Sequence, residues 1–274
     1  MSDSRPIGIF DSGIGGLSVV RHVLAELPQE HLIYIADQQH VPYGPRSADE
    51  ILRFSDGITR FLLAQDVKQI VVACNTATAA ALTELRRRYP GIDFVGMEPA
   101  VKPAANFTQS GKVGVLATAG TFQSQRYAFL MERYASHVQI FENPCVGLVD
   151  LIEAGKGAAP ETAVLLQTIL SPMLQAGADT IVLGCTHYPF IAEQIRSITG
   201  EQVHLIDPAP AVVRQMKRLL TANGQLAVST QSGSRRFITT GNPHLLGKLL
   251  PQWLGVEANI ETAVWHDNQL HTVT

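Results

Sequence analysis

Ile70-Val71-Val72-Ala73-Cys74-Asn75-Thr76 and, at an offset of 111, Ile181-Val182-Leu183-Gly184-Cys185-Thr186-His187 decide how this chain is read. Each is a short apolar, β-branched run of the kind that forms a buried strand. Each stops at a small residue and a cysteine, then continues with hydrogen-bonding side chains. A second pair lies upstream in the same order: Ile7-Gly8-Ile9-Phe10-Asp11-Ser12 aligns with Val113-Gly114-Val115-Leu116-Ala117-Thr118 at an offset of 106. Two matches at nearly equal offsets mark two related halves. The ends of such strands are where open α/β sheets place their ligands, so two related sites are expected to face a shared cleft.

Outward from these segments the same rhythm continues. HLIYIAD (31–37), VQIFEN (138–143) and QVHLID (202–207) are further strand-like runs, and helical periodicity is expected near residues 16 to 26, 48 to 64 and from about 77 to 88. Strands alternating with helices of this length read as βαβ units around parallel sheets, a doubly wound α/β fold. At 274 residues the chain exceeds what one core usually fills, so two domains are expected.

Composition narrows the function. Hydrophobic residues make up 46% and charged residues 16%, which supports a packed core. The net charge is −3, and the basic residues are scattered apart from Arg86, Arg87 and Arg88 at a solvated helix end. A nucleic-acid ligand would need clustered positive charge, and this chain does not offer it. No apolar stretch is long enough for a membrane span, and MSDSRPIGIFDSG lacks the pattern of a secretory signal, which together predict a cytoplasmic protein. Three widely spaced cysteines without a CxxC pair disfavour a disulfide framework and a structural zinc site.

The cysteines therefore carry the chemistry or none of it. Cys145, in Asn143-Pro144-Cys145-Val146-Gly147, reads as a small buried hydrophobe. Cys74 and Cys185 each stand between a strand and an expected helix start, where the helix dipole favours a thiolate and modest help would make the thiol a base. Two thiols across one cleft suit stereoinversion, one taking a proton from a carbon while the other delivers one to the opposite face. A cysteine phosphatase would need an Arg six residues on, where Ala80 and Ile191 stand, and a thiol protease would leave one cysteine unexplained. The loop Asp11-Ser12-Gly13-Ile14-Gly15-Gly16 resembles a dinucleotide fingerprint with Asp37 as its ribose acid, but Ser18 occupies the place of the last glycine. Its backbone N–H groups at a helix start are expected instead to cradle an anion, a carboxylate as well as a phosphate. Taken alone, Pro42-Tyr43-Gly44 reads as a turn, His187 as a structural histidine and Asp11 as a helix cap.

DSGIGG at 11 to 16, PYG at 42 to 44, ACNTA at 73 to 77, LATAGT at 116 to 121 and LGCTHYP at 183 to 189, in that order, resemble the glutamate racemase family of the aspartate/glutamate racemase superfamily over roughly residues 6 to 250. The resemblance implies two doubly wound parallel-sheet α/β domains related by a pseudo-two-fold axis, with the active site between them. Residues 1–97 and 208–274 would form a discontinuous first domain carrying Cys74, and 98–207 a second carrying Cys185. It implies that Cys74 handles the proton of D-glutamate and Cys185 that of L-glutamate, with Asp11 assisting Cys74 and His187, oriented by Glu153, assisting Cys185. Ser12, Tyr43, Gly44, Asn75, Thr76, Thr118, Thr121 and Thr186, with Asp11 and His187, would bind substrate. Such enzymes need no pyridoxal phosphate or metal, commonly form homodimers and supply D-glutamate for peptidoglycan. The run Ala36-Asp37-Gln38-Gln39-His40 departs from the family's GDTAR-like stretch, and the tail beyond about residue 250 matches nothing in it. The alternatives are an aspartate racemase of the same superfamily, a non-catalytic amino-acid-binding module, and the nicotinamide oxidoreductase that Ser18 argues against.

Overall fold

β1 (Ile7–Asp11), β2 (Leu32–Ala36), β3 (Gln69–Val72) and β4 (Asp93–Gly96) open the chain, β5 (Lys112–Leu116), β6 (Gln139–Asn143), β7 (Thr180–Leu183) and β8 (His204–Ile206) follow, and β9 (Arg235–Thr239), β10 (Ile260–His266) and β11 (Gln269–Thr272) close it. The computed structural model describes residues 3–273. Among them the strands form two sheets, ordered β11-β10-β9-β2-β1-β3-β4 and β6-β5-β7-β8. Every pairing is parallel except the β10–β11 hairpin. Helices cover both faces of the larger sheet, which is why β1, β2 and β3 are buried along their whole length rather than alternating.

The internal repeat is realised residue for residue. Strands β2-β1-β3-β4 and β6-β5-β7-β8 follow one order. Ile7 stands opposite Gln69 and Phe10 opposite Val72; at the same offsets Val113 stands opposite Thr180 and Leu116 opposite Leu183. Cys74 and Cys185 each come two residues after the end of their strand.

Local signals explain most elements. The helix Ala48–Ala64 starts on a reciprocal capping box between Ser47 and Glu50. The helix Asn75–Arg88 begins two residues before the position the sequence suggests, because the Cys74 sulfur caps it by accepting from the Ala77 N–H. The unplaced tail turns out to be structural: helix Pro243–Leu254 packs on the core and β9, β10 and β11 extend the larger sheet past β2. No helix among the described residues is long and apolar enough to cross a membrane.

Candidate functional site

The carboxyl ends of β1 and β3 in one sheet face those of β5 and β7 in the other across a nearly closed cavity of about 10 Å³. Ser12, Tyr43, Gly44, Cys74, Asn75, Thr76, Thr118, Cys185, Thr186 and His187 line it, so ten of the expected residues meet at one place. Asp11, Thr121 and Glu153 stand just behind this lining, each bonded to a member of it. Pro42, Val149 and Gly184 complete the wall. Val149 was not anticipated, because an apolar residue in a short helix carries no sequence mark of a site. Cys74 and Cys185 retain only 5% and 7% of their exposure, so a ligand reaches them only if the halves part.

Cys74 has neutral company. Its sulfur accepts from the Ala77 N–H at 3.4 Å and lies 3.8 Å from Ser12 Oγ. Burial pushes the thiol up to about 12, with the Asp11 charge adding to it, so far more than modest help would be needed to ionise it. The unliganded protein therefore holds Cys74 as a thiol, a proton donor. Among the described residues Asp11 makes no hydrogen bond to it and caps no helix. Its carboxyl accepts from the Gly13 N–H at 2.8 Å and from the Thr186 hydroxyl at 3.0 Å across the cleft. Burial raises Asp11 to about 6.

Cys185 has ionic company. Its sulfur is 3.5 Å from His187 Nδ1, and His187 Nε2 meets Glu153 Oε1 at 2.6 Å. Burial alone would lower the imidazole, but its bonds to Cys185 and Glu153 outweigh that and hold it well above the ordinary histidine value. Glu153 in turn stays below the ordinary carboxylate value because donors, His187 first, outweigh its burial. The Cys185 sulfur thus faces the charged end of a buried ion pair. The expected helix start is missing here: Tyr188–Ile191 is a single 3₁₀ turn ahead of helix Ala192–Thr199, so His187 supplies what a long helix dipole was expected to supply.

The glycine loop after β1 does cradle a carboxylate, but the protein's own. Ile14 N–H donates to Glu153 Oε1 at 2.8 Å. A Cβ on Gly13 would overlap that oxygen, and one on Gly15 would crowd His187 Nδ1 and Thr186 Oγ1. The glycines thus let the Glu153–His187 pair of one half seat against the other half. Opposite it, the hydroxyls of Thr76, Thr118 and Thr121 close a triangle with sides of 2.8, 3.2 and 3.4 Å across the cleft. Asn75 is 3% exposed, and neither amide atom has a hydrogen-bond partner among the described residues. A buried amide left unpaired costs about 1–3 kcal/mol per polar group, which a polar ligand in the cavity would recover.

Asp37 is no ribose acid. It is buried and accepts from Tyr43 Oη at 2.7 Å, Trp265 Nε1 at 2.7 Å and Thr240 Oγ1 at 2.9 Å, with His40 Nδ1 at 2.9 Å. It ties the Pro42-Tyr43-Gly44 turn to the C-terminal strands, so Tyr43 meets the cavity with its hydroxyl already committed. Cys145 is buried in the smaller core, as a small hydrophobe would be. No group of three or more His, Cys, Asp or Glu among the described residues is placed to hold a metal ion.

Residues 7–216 match the Asp/Glu/Hydantoin racemase family. A glutamate racemase of Pseudomonas aeruginosa is 51% identical over 249 residues, spanning 91% of this chain and 94% of its own. Among solved structures, a glutamate racemase of Bacillus anthracis superposes with a TM-score of 0.84 at 31% identity, covering 97% of this chain and 98% of the other. The glutamate racemase of Francisella tularensis, solved in complex with D-glutamate, gives a TM-score of 0.82 at 32% identity, covering 96% and 98%.

Proposed function

The chain belongs to the Asp/Glu/Hydantoin racemase family and is an isomerase of the glutamate racemase type; from that premise we propose that it interconverts L- and D-glutamate by passing protons through Cys74 and Cys185, without a cofactor. The observation that carries this reading is that the two thiols line one cavity from opposite halves of the repeat. With L-glutamate bound, the Cys185 thiolate beside imidazolium His187 removes the α-proton, and the Cys74 S–H delivers one to the other face. The reverse reaction uses the same pair with roles exchanged.

An amino-acid α-hydrogen is very weakly acidic, so the carbanion has to be stabilised by fixed dipoles in a dry site. Asn75, with both amide atoms unpaired, and the hydroxyls of Ser12, Thr76, Thr118 and Thr186 supply the donors. The two sheets serve as two domains, 1–97 with 208–274 and 98–207, which open to admit substrate and close to exclude water. In the cell this activity supplies D-glutamate for peptidoglycan from a cytoplasmic homodimer.

Deuterium tests the mechanism. In D₂O the native protein should place deuterium at the α-carbon of the enantiomer it forms. Cys74→Ala and Cys185→Ala should each lose racemisation with folding intact. Cys74→Ala should still wash deuterium into L-glutamate alone, and Cys185→Ala into D-glutamate alone, because the remaining base reaches only one face. Near-native racemisation by either variant would end the two-thiol reading.

A further inference from the structure

We propose that Gln38 is a positioning residue for Cys185: it holds the outer oxygen of Glu153 from the opposite half of the molecule, so that the chain Glu153–His187–Cys185 is aligned only while the halves are closed. This rests on the reading of Cys185 as an acid/base group. Gln38 follows β2, in the half that carries Cys74, whereas Glu153 ends the short helix Leu148–Glu153 in the other half. Gln38 Nε2 donates to Glu153 Oε2 at 3.0 Å. The inner oxygen, Oε1, already receives Ile14 N–H and His187 Nε2. Of the three donors that fix this carboxylate, two come from the opposite half.

The orientation of the Gln38 amide follows from its partner. The Glu153 carboxylate can only accept, so Gln38 turns its NH₂ to it and its Oε1 away, where Oε1 accepts from Thr239 Oγ1 at 2.7 Å; that hydroxyl, buried at the end of β9, itself accepts from the Gly241 N–H at 2.9 Å. A Cβ on Gly241 would crowd Gln38 Cβ, so the backbone there is shaped around this side chain. The result is a continuous path from Thr239 through Gln38, Glu153 and His187 to the Cys185 sulfur.

A donor to Glu153 favours its carboxylate, and the carboxylate favours imidazolium His187, which favours the Cys185 thiolate. The other titratable groups facing Glu153 are Asp11, whose charge opposes it, and Tyr34, whose hydroxyl donates to Gly13 O at 2.6 Å beneath the glycine loop. If the halves separate, Glu153 keeps only His187. The path therefore makes the basicity of Cys185 depend on closure.

Gln38→Met, which keeps the length and removes the donor, tests this. One lost charge-assisted hydrogen bond predicts kcat lower by about tenfold, KM within about twofold, and the acid limb of the kcat/KM profile moved up by about one pH unit. Alkylation of Cys185 by iodoacetamide, mapped by mass spectrometry across pH, should show its midpoint moved up as well. Gln38→Leu, which also removes the donor, should move both in the same direction, and it serves if the Met variant fails to fold. A variant with native alkylation and acid limb, or one that loses kcat without moving either, overturns the proposal. If the native protein does not racemise glutamate, the functional reading fails, while the alkylation profiles still report on Gln38.

Discussion

Cys74 and Cys185 stand at equivalent positions of a repeated half, two residues beyond β3 and β7, yet their surroundings differ in kind. Cys74 has burial and the Asp11 charge, which hold it as a thiol against the pull of the Ala77 N–H and Ser12; Cys185 has the His187–Glu153 pair against its sulfur. Two positions make the difference. At the offset of 106 Asp11 pairs with Ala117, and at the offset of 111 His187 pairs with Thr76. The repeat places the sulfurs at matching positions, and those few side chains give one of them an ionic neighbour that the other lacks.

The sharpest test of that asymmetry compares the partners at one repeat position. His187→Gln removes the imidazolium that steadies Cys185 and should cost about 10² to 10⁴ in kcat, the range of a positioned acid–base group. Thr76→Ser at the matching place keeps its hydroxyl within the threonine triangle and should cost only a few-fold, of the order of one neutral hydrogen bond. Steady-state kinetics in both directions would measure the two. Equal losses would show that the electrostatic difference does not matter to turnover.

A smaller effect is expected where the two halves touch. Gly13→Ala forces a methyl into Glu153 Oε1 and should lower kcat by about tenfold through a displaced His187, the scale of one charge-assisted hydrogen bond. Gly44→Ala meets Thr118 Cβ at 3.0 Å, a contact that a shift of a few tenths of an ångström relieves. It should change kcat by about twofold or less, since fixed charges near the thiols are untouched. Stopped assays of D-glutamate formation would rank them, and a larger loss at Gly44 would mean that closure over the Cys74 side is the more exacting of the two.

How much of this was legible in the sequence depended on how local each signal is. Strand ends carrying Cys74-Asn75-Thr76 and Cys185-Thr186-His187 announce themselves because a β-branched run and a polar stop lie within seven residues. The helix Ala48–Ala64 was readable from residues 48 to 64 because Ser47 and Glu50 form a capping box. β9 carries a weak strand signal since it begins with two arginines, and β4 a weak one because it is four residues between Gly91 and Pro99. The closing hairpin did leave a mark, Asp267-Asn268, whose left-handed φ values of 48° and 58° make the tight turn between β10 and β11. Glu153 and Gln38 lack any such mark. Their roles come from contacts 34 and 115 residues apart, and only the family resemblance pointed to Glu153.

The smallest expected effect falls on stability and not on rate. Asp11 is raised to about 6 from 3.8, with burial as the leading cause, so the folded protein binds that proton more tightly than the unfolded chain does. The sign is opposite to that of a salt-bridged carboxylate. Below about pH 4 the group is neutral in both states and costs nothing; between pH 4 and 6 the penalty grows, and above 6 it is fully present, amounting to about 3 kcal/mol if the whole displacement is realised. Asp11→Asn removes the charge and keeps an acceptor for the Gly13 N–H, although its NH₂ obliges the Thr186 hydroxyl to turn. The variant should therefore gain about 1–2 kcal/mol over the native protein at pH 8 and only about a third of that at pH 4.5, as denaturant midpoints at the two pH values would show. A native protein that carries this penalty at neutral pH keeps a buried negative charge beside Cys74 and bonded to Thr186, which opposes ionisation of Cys74 and so maintains the donor half of the asymmetric pair. Asp11→Asn should accordingly lower the pH at which Cys74 is alkylated, and an unchanged midpoint would detach Asp11 from that role.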